Sequence, residues 1–329
     1  MERWGRVNVP ISYFRTQGFP IHSLTIDERR KELLNLLRYD RTGMVKSGVV
    51  KQTMHCQNLC WHYQPHSWKV RCGDMRTPLD VFGDDALLQD ALERRKRMGK
   101  CKTESDFRKA FSMYSGTQTV SNFRATAYAA LCDRYLPPSG GVLYDPCGGW
   151  GGRLLGSLAC KKVKRYIACE PSSLTYSGLC AMRDELRPMM KRLGYRAPEI
   201  DLHPCGAEDF PLEAGSISMA ATSFPYFDRE KYSNEESQSY VRFPTPDRWL
   251  NGFLGATLSH CYHALDTGIL AVNLASVSSY PDMTEHFFWL AGRCGFRPVE
   301  TLRLTLSANP GMRNGAAFKY EPIFIFRKG

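Results

Sequence analysis

Asp145-Pro146-Cys147-Gly148-Gly149-Trp150-Gly151-Gly152-Arg153 places four glycines in five positions directly before a helical pattern. Lacking Cβ atoms, that backbone can approach a ligand closely, and the apolar run Gly141 to Tyr144 puts the turn at the carboxyl end of a strand, where open α/β sheets bind ligands. Nucleotides of several kinds fit such a turn. A Walker A loop does not, because no Gly-Lys-Ser/Thr follows, and the spacing misses the GxGxxG pattern. Two acids fall where a nucleoside would need them. Glu170 closes Tyr166-Ile167-Ala168-Cys169-Glu170, 25 residues after Asp145, and its carboxylate can accept from both ribose hydroxyls. Cys205-Gly206-Ala207-Glu208-Asp209-Phe210 offers an acid to the exocyclic amine of an adenine, with Phe210 against the ring; Asp209 is preferred to Glu208.

The elements that would position these residues alternate strand and helix. Val142 to Tyr144, Val163 to Cys169, Ile200 to His203, Ile217 to Thr222 and Ile269 to Leu274 read as short buried strands. Helical spacing appears near Arg153 to Leu158, Leu174 to Leu193, Trp249 to Leu265 and Met283 to Cys294. A helix from Asn122, stopped by Pro137-Pro138-Ser139-Gly140-Gly141, precedes the first strand. The pattern predicts an α/β fold with a doubly wound, mostly parallel sheet. Val299 to Leu306 and Tyr320 to Phe326 have no helix between them and are expected to pair antiparallel at one edge.

With 329 residues, 43% hydrophobic and 23% charged, the chain is long enough for about two domains. It contains no apolar run of the roughly 18 residues a membrane span needs, so no membrane partner is expected. Met1-Glu2-Arg3-Trp4-Gly5-Arg6 has no apolar signal core, which predicts a cytoplasmic home and reduced thiols for the twelve cysteines. The net charge of +11 is uneven: residues 1 to 140 carry 23 Lys and Arg against 14 Asp and Glu, the remainder 21 against 19. A basic first part suits a polyanion such as nucleic acid, although solubility alone would also use it. That part is expected to hold helices at Leu33 to Leu37, after Thr25 and Asp27, and at Asp85 to Met98, whose Arg94-Arg95-Lys96-Arg97 end reads as solvated. His55, Cys56, Cys60, His62, His66 and Cys72 are zinc-ligating types, but no C-x-x-C pair occurs, and packing is favoured over metal. Trp61, Tyr63 and Trp68 between them read as core or as a stacking surface.

The glycine turn resembles the first motif of S-adenosylmethionine-dependent methyltransferases, especially the amino-methyltransferases of DNA. In Asp-Pro-x-x-Gly-x-Gly, Asp145, Pro146, Gly149 and Gly151 match position for position. The resemblance implies a Rossmann-like methyltransferase fold with S-adenosyl-L-methionine as cofactor. Asp145, Pro146, Cys147, Gly148, Gly149 and Gly151 would border the methionine moiety, Glu170 the ribose, and Asp209 with Phe210 the adenine. Asn122, Phe123 and Arg124, before the first strand, would touch the methionine end. Thr222-Ser223-Phe224-Pro225-Tyr226-Phe227 looks like the family's catalytic motif, Asn/Asp/Ser-Pro-Pro-Tyr/Phe, with Phe224 in place of a proline. Its chemistry would be to accept both N–H bonds of a base amine, at the Ser223 side chain and the Phe224 carbonyl, aiming the nitrogen lone pair at the sulfonium methyl. Pro225 keeps Phe224 extended, and Tyr226 would stack on a base flipped from the duplex.

The implied organisation is a basic, α-rich substrate-binding region over 1–111 and a methyltransferase domain over 112–329. The implied reaction is methylation of adenine N6, or next cytosine N4, in double-stranded DNA. An RNA amino-methyltransferase, or a nucleic-acid-binding protein that keeps the fold without turnover, are the alternatives. The polar stretch from Asp228 to Gln238 is a candidate flap, with Tyr232 or Gln238 on the target base, and Ser307 to Lys319 a candidate loop over the bound strand.

Overall fold

The computed structural model describes residues 11–306 and 320–329; the expected loop Ser307 to Lys319 and the first ten residues lie outside them. Its strands, in chain order, are β1 (Val45–Lys46), β2 (Val49–Val50), β3 (Arg71–Cys72), β4 (Gly141–Asp145), β5 (Val163–Cys169), β6 (Glu199–His203), β7 (Ile217–Ser223), β8 (Glu230–Lys231), β9 (Leu265–Asn273), β10 (Phe296–Thr305) and β11 (Tyr320–Lys328). Nine of them form one sheet in the order β1-β2-β10-β11-β9-β7-β4-β5-β6. β4, β5, β6, β7 and β9 run parallel, as the alternation of strands with crossover helices requires. β10 and β11 pair antiparallel, but β11 lies inside the sheet, between β9 and β10, and not at its rim.

Each strand feeds both faces by its period of two. Leu143, Tyr166, Ala168, Met219 and Ala221 join a core with the helices Ala125–Tyr135, Gly152–Ala159 and Ser173–Arg192. Tyr144, Ile167, Cys169 and Ala220 point the other way, to Trp249, Phe253 and Leu258 on the helical run 249–264 and to Phe287 on Met283–Arg293. That first run is not uniform: Trp249–Gly255 coils in wider turns before tightening to an α-helix at Ala256–Ala264.

The residues before 112 behave in two ways. Leu33 and Leu36, on Ile26–Arg38 with its Thr25–Glu28 capping box, share the first core with Val50, Leu59 and Cys60. β2 pairs with β10, so this stretch also extends the large sheet. Phe14, Val81, Leu88, Phe107 and Phe111 instead form a cluster of their own. In the basic helix end Arg95 is not solvated: its side chain is buried and pairs with Asp106 at 3.5 Å. The cysteine and histidine residues are spent on packing: the Cys56 thiol donates to the Glu32 carbonyl at 3.0 Å, Cys60 and Cys72 are buried, and His66 bonds Thr175 at 3.1 Å. Among the described residues no three His, Cys, Asp or Glu side chains converge as metal ligands, and no helix is long and apolar enough to cross a membrane.

Candidate active site

The carboxyl ends of β4, β5 and β7 open on one cleft, whose empty volume is about 960 Å³ with its solvent mouth included. The glycine turn forms one wall. Gly148 N–H donates to the Cys169 carbonyl at 2.7 Å, which holds the turn against the end of β5. Gly149 and Gly151 adopt φ of 60° and 90°, a region that penalises a Cβ, and a Cβ on Gly151 would sit 2.6 Å from the Met182 methyl. Pro146, Cys147 and Gly149 line the cleft; Gly148 and Gly151 shape the turn without lining it.

Asp145, expected at the cofactor, lies beneath the cleft and not in its wall. Fully buried, it accepts from Arg153 Nε, Tyr166 OH and Thr222 Oγ1, each at 2.7 Å, and from Cys147 N–H at 3.3 Å. These donors come from the following helix, β5, β7 and the turn itself, so the carboxylate ties four pieces of the site together. Burial is the largest single influence on Arg153 and lowers its pKa, but the Asp145 charge and hydrogen bond together with Tyr166 and Tyr128 outweigh it and the net shift is upward, keeping the guanidinium charged.

Glu170 does line the cleft. It is buried, its Oε2 accepts Gly149 N–H at 2.8 Å and its Oε1 accepts Ser172 N–H at 2.9 Å. Burial nevertheless pushes its carboxyl up to about 7 against those two bonds. At the end of β6 the neighbouring acids divide differently from expectation. Asp209 turns outward to Arg242, with Oδ1 at 3.1 Å, whereas Glu208 is buried and lines the cleft. The short Ala207–Asp209 turn explains this, since consecutive residues there project in different directions. Phe210 packs on His203, ring centres 4.0 Å apart, and is likewise outside the lining. Arg124 stands at the position before the helix Ala125–Tyr135, without a side-chain capping bond, and does not line the cleft, while Asn122 and Phe123 do.

Ser223, Phe224, Pro225 and Tyr226 form the opposing wall. The parallel register sets Ser223 beside Asn273 on β9, and Ser223 Oγ donates to Asn273 Oδ1 at 3.2 Å, leaving its lone pairs as acceptors. Tyr226 OH lies 3.0 Å from both Asn273 Oδ1 and Glu321 Oε2, which fixes the ring by its tip. Sequence reasoning missed Asn273 and Glu321. The Phe224 side chain is buried between Phe253, at 6.0 Å, and Phe287, at 6.5 Å. An aromatic anchor thus restrains the position where the motif has proline. Phe227, at a left-handed φ of 52°, anchors the far side of the loop against Trp249. Beyond it, Glu230 accepts from Ser121 N–H at 2.8 Å and Tyr232 stacks on buried Trp150 at 4.1 Å; both line the cleft. Burial raises the pKa of Glu208 and Glu230, which line the cleft with Glu170, and of Glu321 behind Tyr226.

No protein-family model and no curated protein sequence matches the chain. Among solved structures, it is similar to geranyl diphosphate C-methyltransferase from Streptomyces coelicolor, crystallised with S-adenosyl-L-homocysteine: TM-score 0.42 and 12% identity over 62% of this chain and 79% of that one. A putative RNA methyltransferase from Pyrococcus horikoshii gives 0.38 and 12% over 62% and 82%. An S-adenosylmethionine-dependent methyltransferase from Methanosarcina mazei gives 0.40 and 10% over 60% and 96%.

Proposed function

We propose that the chain is an S-adenosylmethionine-dependent methyltransferase acting on an exocyclic amine of a DNA base, adenine N6 first and cytosine N4 next. One observation carries the reading: the glycine turn after β4, Glu170 after β5, Glu208 after β6 and Ser223 to Tyr226 after β7 all open on the same cleft. The residues fit the cofactor. Glu170 and Glu208 are buried acids at the ends of adjacent strands, placed to accept from ribose hydroxyls and from an adenine amine, and Gly149 leaves the turn open to the methionine end. S-adenosylmethionine would supply an electrophilic methyl group. The chain's own contribution is positional: Ser223 Oγ and the Phe224 carbonyl accept the amine hydrogens, while Asn273 holds the Ser223 hydroxyl and Tyr226 in place. A base amine inside a duplex is out of reach of such a cleft, so the target would be flipped, with the basic region over 1–111 holding phosphates.

Calorimetry with S-adenosylhomocysteine tests the cofactor, and the reading fails if none binds. Radiolabelled methyl transfer to duplex DNA, duplex RNA and a protein extract, followed by nucleoside analysis, tests the substrate. Label in N6-methyladenine or N4-methylcytosine of DNA is expected. Label in RNA or protein alone overturns the DNA assignment.

A further inference from the structure

The stretch after the reactive loop is strapped across the cleft. The Glu235 carboxylate accepts Ser173 N–H at 3.1 Å, Ser237 Oγ donates to the Pro171 carbonyl at 3.0 Å, and Arg242 reaches Glu208 Oε1 at 3.2 Å. Its ties therefore land on the loops that carry Glu170 and Glu208. Between them Gln238 is 6% exposed and lines the cleft, as does Glu208 at 8%. Each keeps a buried polar atom without a hydrogen-bond partner, Nε2 of Gln238 and Oε2 of Glu208. An unsatisfied buried donor or acceptor costs about 1–3 kcal/mol, and buried polar groups in folded proteins are nearly always paired. Two further orphaned donors border the cleft, Asn122 Nδ2 and Trp150 Nε1, but these stand beside the glycine turn, whereas Gln238 and Glu208 sit on segments that Arg242 ties together; there one donor and one acceptor call for a ligand edge carrying the complementary pair.

We propose that Gln238 and Glu208 together recognise the adenine of the cofactor, Glu208 accepting from the exocyclic amine and Gln238 donating to a neighbouring ring nitrogen. This rests on the cofactor reading above and sharpens it: Gln238 serves the cofactor's base and not the target base. A hypoxanthine base would set its carbonyl oxygen against Glu208, so the pair also selects against the deaminated cofactor. Sites built to hydrogen-bond a group discriminate strongly against analogues lacking it, because their own buried atoms are then left unpaired.

The test is calorimetry on the full chain with S-adenosylhomocysteine, its 1-deaza and 7-deaza analogues, and the analogue lacking the 6-amine. The parent protein is expected to lose roughly tenfold or more in affinity for the amine-free analogue and for one of the two deaza analogues. Gln238→Met should bind S-adenosylhomocysteine about as weakly as the parent binds that deaza analogue, and should no longer distinguish the two ligands. If Gln238→Met does not fold, Gln238→Glu, which keeps the shape and removes the amide donor, makes the same comparison at pH 8. Indifference of the parent to both deaza replacements, or a Gln238 variant that keeps the parent's discrimination, overturns this pairing while leaving the cofactor reading intact. A parent that binds no S-adenosylhomocysteine overturns both.

Discussion

Replacing Asp145 by Asn isolates the charge that knits the site together. The amide keeps the size of the carboxylate, and with its oxygen in the place of Oδ2 it still accepts from Arg153 and Tyr166. Its NH2 group then faces Thr222, whose hydroxyl can turn to accept, and Cys147 N–H, which cannot. The main loss is electrostatic. The Arg153 side chain is 8% exposed and would remain charged with no counterion. Removing one member of a buried pair costs about 3–5 kcal/mol, and the lost backbone bond adds about 1 kcal/mol. Against a typical stability of about 5–15 kcal/mol, Asp145→Asn should shift the urea midpoint strongly downward. The magnitude is checked by a cycle with Arg153→Met. The double variant carries no stranded cation, so it should be at least about 2 kcal/mol more stable than the sum of the single effects implies. A single variant within about 1 kcal/mol of the parent, or strict additivity in the cycle, would refute the claim that an ion pair anchors the turn.

Glu170 makes stability depend on pH in a defined direction. Its folded carboxyl titrates near 7, above the reference 4.5, so its contribution is fully present below about 4.5 and is lost as pH rises to about 7, by about 3 kcal/mol in all. Between pH 5 and pH 8 the parent should lose about 2.5 kcal/mol more in urea unfolding than Glu170→Gln, in which Glu208, Glu230 and Glu321 still contribute; equal losses would contradict it. Ser223→Ala should slow methyl transfer about a hundredfold while leaving S-adenosylhomocysteine affinity within about twofold, and an undiminished rate would remove the hydroxyl from the mechanism. Phe224→Ala, which empties the space between Phe253 and Phe287, should cost about 3–5 kcal/mol in thermal unfolding, and a cost below about 1 kcal/mol would deny the ring its anchoring role.

The strands were legible wherever an apolar run ended at a turn residue: β5 spans Val163–Cys169 as the residues alone predict. β9 begins earlier than expected, at Leu265, because Asp266 and Thr267 look like loop residues; Gly268 marks the place where the backbone of Ser218 comes too close for any side chain. The glycine turn, Glu170 and the Ser223 loop were readable because each follows a strand directly. Glu208 and Asp209 were not separable, since two adjacent carboxylates on one short turn differ only in which way the backbone points them. The anchoring bonds of Asp145 give no local signal because its partners are scattered: Arg153 lies eight residues on, Tyr166 and Thr222 on other strands, and only the sheet register brings them together. Asn273 and Glu321 gave no local signal for the same reason. The antiparallel pair was visible, but its depth in the sheet was not, because β2 covers β10 from more than two hundred residues away in sequence.

That last pairing bears on how the molecule is made. Val49 and Val50 wait for Arg303 and Leu304 as partners, and these emerge from the ribosome about 250 residues later. At roughly 5–20 residues per second, a short hairpin with open peptide groups stays uncovered for about 12 to 50 s of translation. With only two residues in each strand, the hairpin offers other chains little edge to pair with during that interval, and its removal from the finished sheet would expose the outer side of β10.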